Sequence, residues 1–240
     1  AIAAGVYGEL TGTPGVCVAT RGPGAANAID GVANAQLDRQ ALVMVTDTVS
    51  AADQSRIAHQ RVDQRAMFAP VTKAALTAGG VGDTAAACRD AVAVATSHPR
   101  GAVHLNFDPG AEPSSSPAST VHHSTADEIA AALKLVAAAN RPVVVLGVGA
   151  RDVVAEVREL LRDSAVPVLT TYRAKGVIPD SWTNAAGLMT AATAEAPVLH
   201  AADLILMIGI DSVEFFPGQW PYAAPVVAFG AWPEHSVYFT

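Results

Sequence analysis

Apolar residues fall along this chain in short blocks that alternate between two spacings. The opening AIAAGVYGEL has helical spacing and predicts the end of a helix, stopped by Gly12 and Pro14. GVCVAT is a continuous apolar run bounded by glycine and proline, which predicts a buried strand. AANAIDGVANAQLD returns to helical spacing, and ALVMVT predicts a second buried strand. Residues 47–69 are a long polar stretch. Beyond it VTKAAL predicts a third strand, DTAAACRDAVAVATSH a helix that opens on Asp83 and ends before Pro99, and GAVHLNFD a fourth strand.

PGAEPSSSPASTVHHSTADE then loses all periodicity. Crowded with proline, serine and glycine, it predicts an interdomain linker over 111–125. The alternation restarts with TADEIAAALKLVAAA, a helix opened by a capping box of Thr125 and Glu128. PVVVLGVGA predicts a strand running into a glycine turn, and VVAEVRELLRDS a helix. VPVLTTY, ADLILMIGID and APVVAFG predict further strands. Strands alternating with helices make parallel β-α-β units, so the expected class is α/β with two parallel-sheet domains, 1–110 and 126–240. The last segment, GAWPEHSVYFT, has no helical pattern, which is the expectation for a sheet cut short.

Composition narrows the classes. At 51% hydrophobic and 15% charged residues the chain can build a large core and is not disordered. A net charge of −7 leaves no basic surface for nucleic acid, and no apolar stretch is long enough to span a bilayer. Cys17 and Cys88 lack a CxxC partner and read as buried, reduced thiols of a cytoplasmic protein. His122 and His123 lie in the linker without a spaced third ligand, so no metal site of the chain's own is expected.

Candidate chemistry lies in two glycine-rich turns. In ATRGPGAANAID, residues 19–30, Gly22-Pro23-Gly24 separates a strand from a helix. Pro23 removes an amide donor and stiffens the loop, a poor design for cradling phosphate. The small residues after it suit a tight turn against a planar, partly apolar ligand or a neighbouring subunit, an ordinary strand-to-helix turn being the alternative. Asn27 can both donate and accept hydrogen bonds. LGVGARD, residues 146–152, supplies only G-x-G, with Asp152 at the last position of the dinucleotide fingerprint. Gly147 and Gly149 there serve a tight turn into a helix. TTYRAKG, residues 170–176, and Asp211 stand at strand ends, where α/β sheets bind ligands.

Residues 7–48, YGELTGTPGVCVATRGPGAANAIDGVANAQLDRQALVMVTDT, resemble the pyrimidine-binding domain of thiamine-diphosphate-dependent enzymes of the acetolactate synthase and pyruvate decarboxylase-like superfamily. AHQRVDQRAMFAPVTKAA and SHPRGAVHLNFDPG continue that likeness. RPVVVLGVGA, VPVLTTYRAKGVIPD, NAAGL and AADLILMIGID are similar, in order, to the family's Rossmann-like central domain.

The resemblance implies an N-terminally incomplete pyrimidine-binding domain over 1–110 and a central domain over 126–240. It implies a lyase or transferase acting on 2-keto acids, by carboligation or decarboxylation, in a homodimer or homotetramer. Thr20, Gly22, Pro23, Gly24 and Asn27 would contact or shape the place of the cofactor's aminopyrimidine ring. Gln60 matches a glutamine near the family's reaction centre and is the candidate catalytic residue, with His59 beside it. Arg61 stands where that family usually has glutamate, and Arg21 where it has a small residue, so acetolactate synthesis itself is in question. The family's catalytic glutamate would precede residue 1; Glu9 aligns with the helix end and does not take that role. Magnesium would be held by a diphosphate-binding domain that these residues lack, GGVGD at 79–83 being a helix-start turn. Where family members carry FAD, it lies near the positions of Gly147, Gly149, Thr170 and Thr171. Two non-catalytic readings stand beside this: a truncated or inactive homologue acting as a binding or regulatory module, and a nucleotide-binding central domain alone.

Overall fold

A computed structural model describes residues 1–50, 53, 60–79, 84–108, 110, 123–190, 193–215 and 220–232. His59, Asp83, His122 and most of the predicted linker lie outside them. The chain divides into two compact units, Ala1–Thr120 and Val121–Thr240.

Unit 1 is a four-stranded parallel sheet in the order β1-β2-β4-β3. Its strands are β1 (Gly15–Val18), β2 (Leu42–Asp47), β3 (Ala74–Ala78) and β4 (Ala102–Phe107). Helix α1 (Ile2–Thr11) ends on Gly12 in the left-handed conformation, whose N–H reaches the Gly8 carbonyl. It lies directly on strand backbone. A Cβ at Gly15 would stand 1.8 Å from the Ala4 carbonyl oxygen, and one at Gly8 2.0 Å from that of Ala41. Only glycine permits that approach.

α1, α3 (Ile29–Leu37) and α4 (Gln64–Phe68) cover Leu42, Met44 and Ala102 on one sheet face. α5 (Thr84–Thr96) covers Val43, Val103 and Leu105 on the other. Three expectations are corrected here. β1 is an edge strand, with Val16 and Val18 59% and 73% exposed rather than buried. The helix expected from Ala25 is broken into a single turn, α2 (Pro23–Ala26), and α3. Cys88 is exposed and Cys17 half-buried, because α5 presents Ala87, Ala91 and Ala95 to the sheet and Cys88 is one residue out of that stripe.

Lys73, just before β3, anchors α5. Its ammonium donates to the carbonyls of Val94 and Ser97, both at 2.7 Å, and to the Ser97 hydroxyl at 2.9 Å. These acceptors lie in and just beyond the last turn of the helix, where a cation is favoured. Burial, with nearby Arg39, lowers its pKa to about 8. Lys73→Met is expected to cost about 1–3 kcal/mol, as those acceptors lose their donor. Urea unfolding would measure this, and an unchanged midpoint would show that water serves them as well.

Unit 2 is a five-stranded parallel sheet in the order β7-β6-β5-β8-β9. The strands are β5 (Pro142–Leu146), β6 (Val168–Thr170), β7 (Ala185–Leu188), β8 (Leu204–Ile208) and β9 (Val226–Phe229). The predicted capping box opens α6 (Ala126–Ala138): Glu128 N–H donates to Thr125 Oγ1 and Thr125 N–H to Glu128 Oε2. α7 (Val154–Leu161) and α8 (Ala196–His200) follow. The glycine turn after β5 does not enter a helix directly. Val148–Val153 is a 3₁₀ segment, and α7 starts only at Val154. β7 was not legible as a strand, because it is recruited to the edge of β6 through backbone hydrogen bonds that ask little of its side chains.

Candidate functional site

The carboxyl ends of unit 1's strands converge on a buried polar cluster. Thr46 of β2 and Thr77 of β3 each pair in register with Asn106 of β4, so the three make one row across the sheet. All three are buried. Gln64, at the start of α4, lies over that row and is 2% exposed. Asp63 fixes the start of this helix by accepting the Ala66 N–H at 2.9 Å.

The Gln64 carboxamide is used at both ends. Its oxygen accepts the Gly22 N–H at 2.6 Å. Its nitrogen faces the Asp47 carbonyl at 2.8 Å and Thr46 Oγ1 and Asn106 Oδ1, both at 3.0 Å. Gln64 thus ties the turn after β1 to the ends of β2 and β4. Thr46 donates to Asn106 Oδ1 and also touches His104 Nε2 at 2.8 Å. With the Thr46 proton on Asn106, His104 Nε2 must be the donor of its pair. Nδ1 is then a bare lone pair, consistent with its having no hydrogen-bond partner among the described residues. The ring is buried and stacked on Phe68 at 4.2 Å, and burial lowers its pKa to about 4.

The Gly22-Pro23-Gly24 turn is shaped by its own neighbours. Gly22 has φ 66° and ψ −120°, a region open to glycine, and a Cβ there would stand 2.8 Å from Gln60 Cα. Pro23 takes the first helical position of α2. A Cβ on Gly24 would meet Thr20 Cγ2 at 2.6 Å. Gln60 itself adopts a left-handed φ of 66°, uncommon for a residue with a side chain. The structure therefore brings Thr20, Gly22, Gly24 and Gln60 together.

The amides of this turn are largely engaged. Arg21 N–H goes to Asp47 Oδ1, Gly22 N–H to Gln64, Ala26 N–H to the Gly22 carbonyl and Asn27 N–H to that of Pro23. Four of the turn's amides are thus taken up within the protein and Pro23 supplies none, so the turn offers mainly shape, as its proline suggests. The Arg21 guanidinium also forms an ion pair with Asp47. The Asn27 side chain is exposed and has no hydrogen-bond partner among the described residues.

Beside the cluster is a cavity of about 430 Å³, lined by Thr48, Arg61, Gln64, Arg65, Thr77 and Asn106 among others. Its size is that of a small-molecule site, and it lies at the carboxyl end of the sheet, where ligands of α/β proteins bind. A second cavity of about 470 Å³, walled by Pro142, Val143 and Pro167, lies at the opposite, amino ends of β5 and β6 and is mostly apolar. We place the site at the first for its position and polar lining.

In unit 2 the strand order reverses between β5 and β8, so their carboxyl ends form the switch point. Gly147 and Gly149 lie there, with Thr170 and Thr171 at the end of β6 alongside. Asp211 caps a 3₁₀ turn by accepting the Val213 N–H. Glu214, 2% exposed, is central to this region. Sequence reasoning missed it, although D-x-x-E after an apolar strand is a capping-box pattern. Gln64 was missed too; the one available signal was a polar residue just behind an aspartate cap. Among the described residues no three His, Cys, Asp or Glu side chains gather in a way that could hold a metal ion, and no helix is long and apolar enough to cross a membrane.

Two family models match the chain. Residues 1–67 match the N-terminal TPP-binding domain of thiamine pyrophosphate enzymes, and residues 129–234 match the central domain of the same enzymes. Among individual proteins, the chain is 30% identical over 240 residues to the acetolactate synthase of Bacillus subtilis, covering 92% of this chain and 41% of that protein. It is 29% identical over 209 residues to the acetolactate synthase isozyme 1 large subunit of Escherichia coli, covering 82% and 37%. It is also 29% identical over 229 residues to a 2-hydroxyacyl-CoA lyase of Oryza sativa, covering 86% and 39%. The chain thus spans about two-fifths of the length of the curated relatives it matches. Two matched domains in family order, each on a parallel α/β sheet, make this chain a member of the thiamine-pyrophosphate-dependent enzymes of the acetolactate synthase and pyruvate decarboxylase-like superfamily.

Proposed function

We propose that this chain is part of a thiamine-diphosphate-dependent enzyme acting on 2-keto acids, by acetolactate-synthase-like carboligation or by decarboxylation. One observation carries the reading: Gln64 joins the glycine-proline turn, on which Gln60 packs, to a polar cavity at the carboxyl ends of unit 1's sheet. Thr20, Gly22, Pro23, Gly24 and Asn27 would hold the aminopyrimidine end of the cofactor. A planar heterocycle suits a turn whose amides are mostly engaged and whose outer face keeps one carboxamide, Asn27, able to donate and accept. Thiamine diphosphate, when bound, supplies the carbanion chemistry next to a 2-keto carbonyl, and the protein supplies orientation. Gln64 fixes the turn from behind. Gln60, packed against Gly22 and next in the chain to Arg61 of the cavity wall, would orient the substrate. Arg61 and Arg65 at the cavity wall would favour a substrate carboxylate.

Magnesium and the diphosphate would be held by residues outside this chain, and a homodimer or homotetramer would complete the site. The reading places the enzyme in the cytoplasm. In the full-length protein, Asn27→Ala is expected to weaken thiamine diphosphate binding by about tenfold, the loss of one hydrogen-bonding side chain. Calorimetric titration with the cofactor, alongside carbon dioxide release from pyruvate, tests this. Unchanged affinity would remove Asn27 from the site, and absence of cofactor binding by the parent protein would sink the enzyme reading altogether.

A further inference from the structure

Unit 2 has the strand order that invites a ligand between β5 and β8, yet the donors at that place are taken. Glu214 accepts the Val148 N–H on both oxygens, at 2.9 and 3.1 Å. It also accepts the Asp211 N–H at 3.1 Å and the Thr171 hydroxyl at 2.5 Å. One carboxylate therefore joins the turn after β5, the end of β6 and the turn after β8.

The glycines are filled as well. A Cβ on Gly147 would stand 2.5 Å from the Gly209 carbonyl oxygen and 2.7 Å from Glu214 Oε2. One on Gly209 would stand 2.2 Å from Ala150 N, and one on Gly149 3.0 Å from Gly209 Cα. These glycines let two turns of the chain interlock. A dinucleotide diphosphate asks for the reverse: open glycine faces, unengaged amides and a helix N-terminus aimed at the phosphates. α7 starts several residues too late for that.

We infer that Glu214 is the resident anion of unit 2's switch point, occupying the donors that a dinucleotide diphosphate would need, so that the chain binds no FAD through Gly147, Gly149 and Thr171. A phosphate brought to the same amides would meet a buried carboxylate, and two like charges so close in a low-polarity setting cannot both stay ionised. Burial already pushes the Glu214 carboxyl up, against the pull of its three donors. This inference is independent of the thiamine reading of unit 1.

The first test is made on the full-length wild-type protein. It is expected to purify without flavin absorbance and to leave the fluorescence of added FAD unquenched; stoichiometric flavin would overturn the inference. The second removes the resident anion. Glu214→Ala leaves the Val148 and Asp211 amides and the Thr171 hydroxyl facing a void, so acetate is expected to raise the melting temperature of this variant more than that of wild type, with chloride as the control. An equal response in both proteins would overturn the anion role. Should the alanine variant fail to fold, Glu214→Gln keeps the shape, removes the charge and turns an NH₂ toward N–H donors. It is expected to melt well below wild type, and an unchanged melting temperature would equally overturn the assignment.

Discussion

Gln64→Ala is expected to cost the protein about 3–5 kcal/mol, a large share of the stability of an ordinary domain. The carboxamide touches four partners, the Gly22 N–H, the Asp47 carbonyl, Thr46 Oγ1 and Asn106 Oδ1. The bonds to Gly22, Thr46 and Asn106 are buried, and the truncation also removes packing volume. Losses within one network do not add, so the total stays below the sum of separate deletions. Gln64→Glu separates shape from chemistry. It keeps an acceptor for Gly22 but sets a second oxygen against the Asp47 carbonyl and Asn106 Oδ1, so it should also destabilise, and most at neutral pH. Urea unfolding of the full-length protein reads both variants. A loss below about 1 kcal/mol for the alanine variant would mean that water replaces the carboxamide and that the turn holds itself. On the thiamine reading the same variant also loosens the Gly22 turn and weakens cofactor binding.

His104 should give unit 1 a marked acid sensitivity. In the fold the imidazole stays neutral down to about pH 4, while in the unfolded chain it titrates near 6.5. Between these values the unfolded state holds more protons, so stability falls as pH falls through this window. Each pH unit is worth up to about 1.4 kcal/mol, and roughly 3 kcal/mol should be lost from pH 6.5 to 4. The cause is local. Protonation would place an N–H on Nδ1, which has no acceptor among the described residues, beside the stacked Phe68 ring. His104→Gln, which can still reach Thr46, should flatten the pH profile over this window. Denaturant midpoints at a series of pH values compare the two proteins, and parallel profiles would place the acid sensitivity elsewhere.

Much of the architecture is legible along the chain. Apolar runs bounded by glycine and proline mark eight of the strands, and the capping box at Thr125 is present as expected. These signals are local, carried by residues a few positions apart. Errors arose where local pattern met a distant constraint. GVCV reads as a buried strand, but its exposure depends on what lies beside it, and the structure makes it an edge. The stretch after Pro23 reads as one helix, but the chain interrupts it. LGVGARD reads as a strand entering a helix, but the interlocked turn at Gly209 is met first and a 3₁₀ segment intervenes.

The candidate site divides in the same way. The Gly22-Pro23-Gly24 turn stands out in the sequence because the positive φ of Gly22 and the fixed φ of Pro23 are local backbone preferences. Gln64, Thr46, Asn106 and His104 do not stand out, since a buried glutamine and a solvated one are the same letter. Gln64 meets Gly22 across 42 residues, and Glu214 meets Val148 across 66. By itself, then, the sequence determined the class, the parallel sheets and the chemistry of the turns, which follow from periodicity and backbone preference. Only the tertiary structure decided that β4 enters between β2 and β3, so that Asn106 meets both Thr46 and Thr77 under Gln64, and that Glu214 closes the switch point of unit 2. Strand order and register are properties of long-range pairing, and no local pattern encodes them.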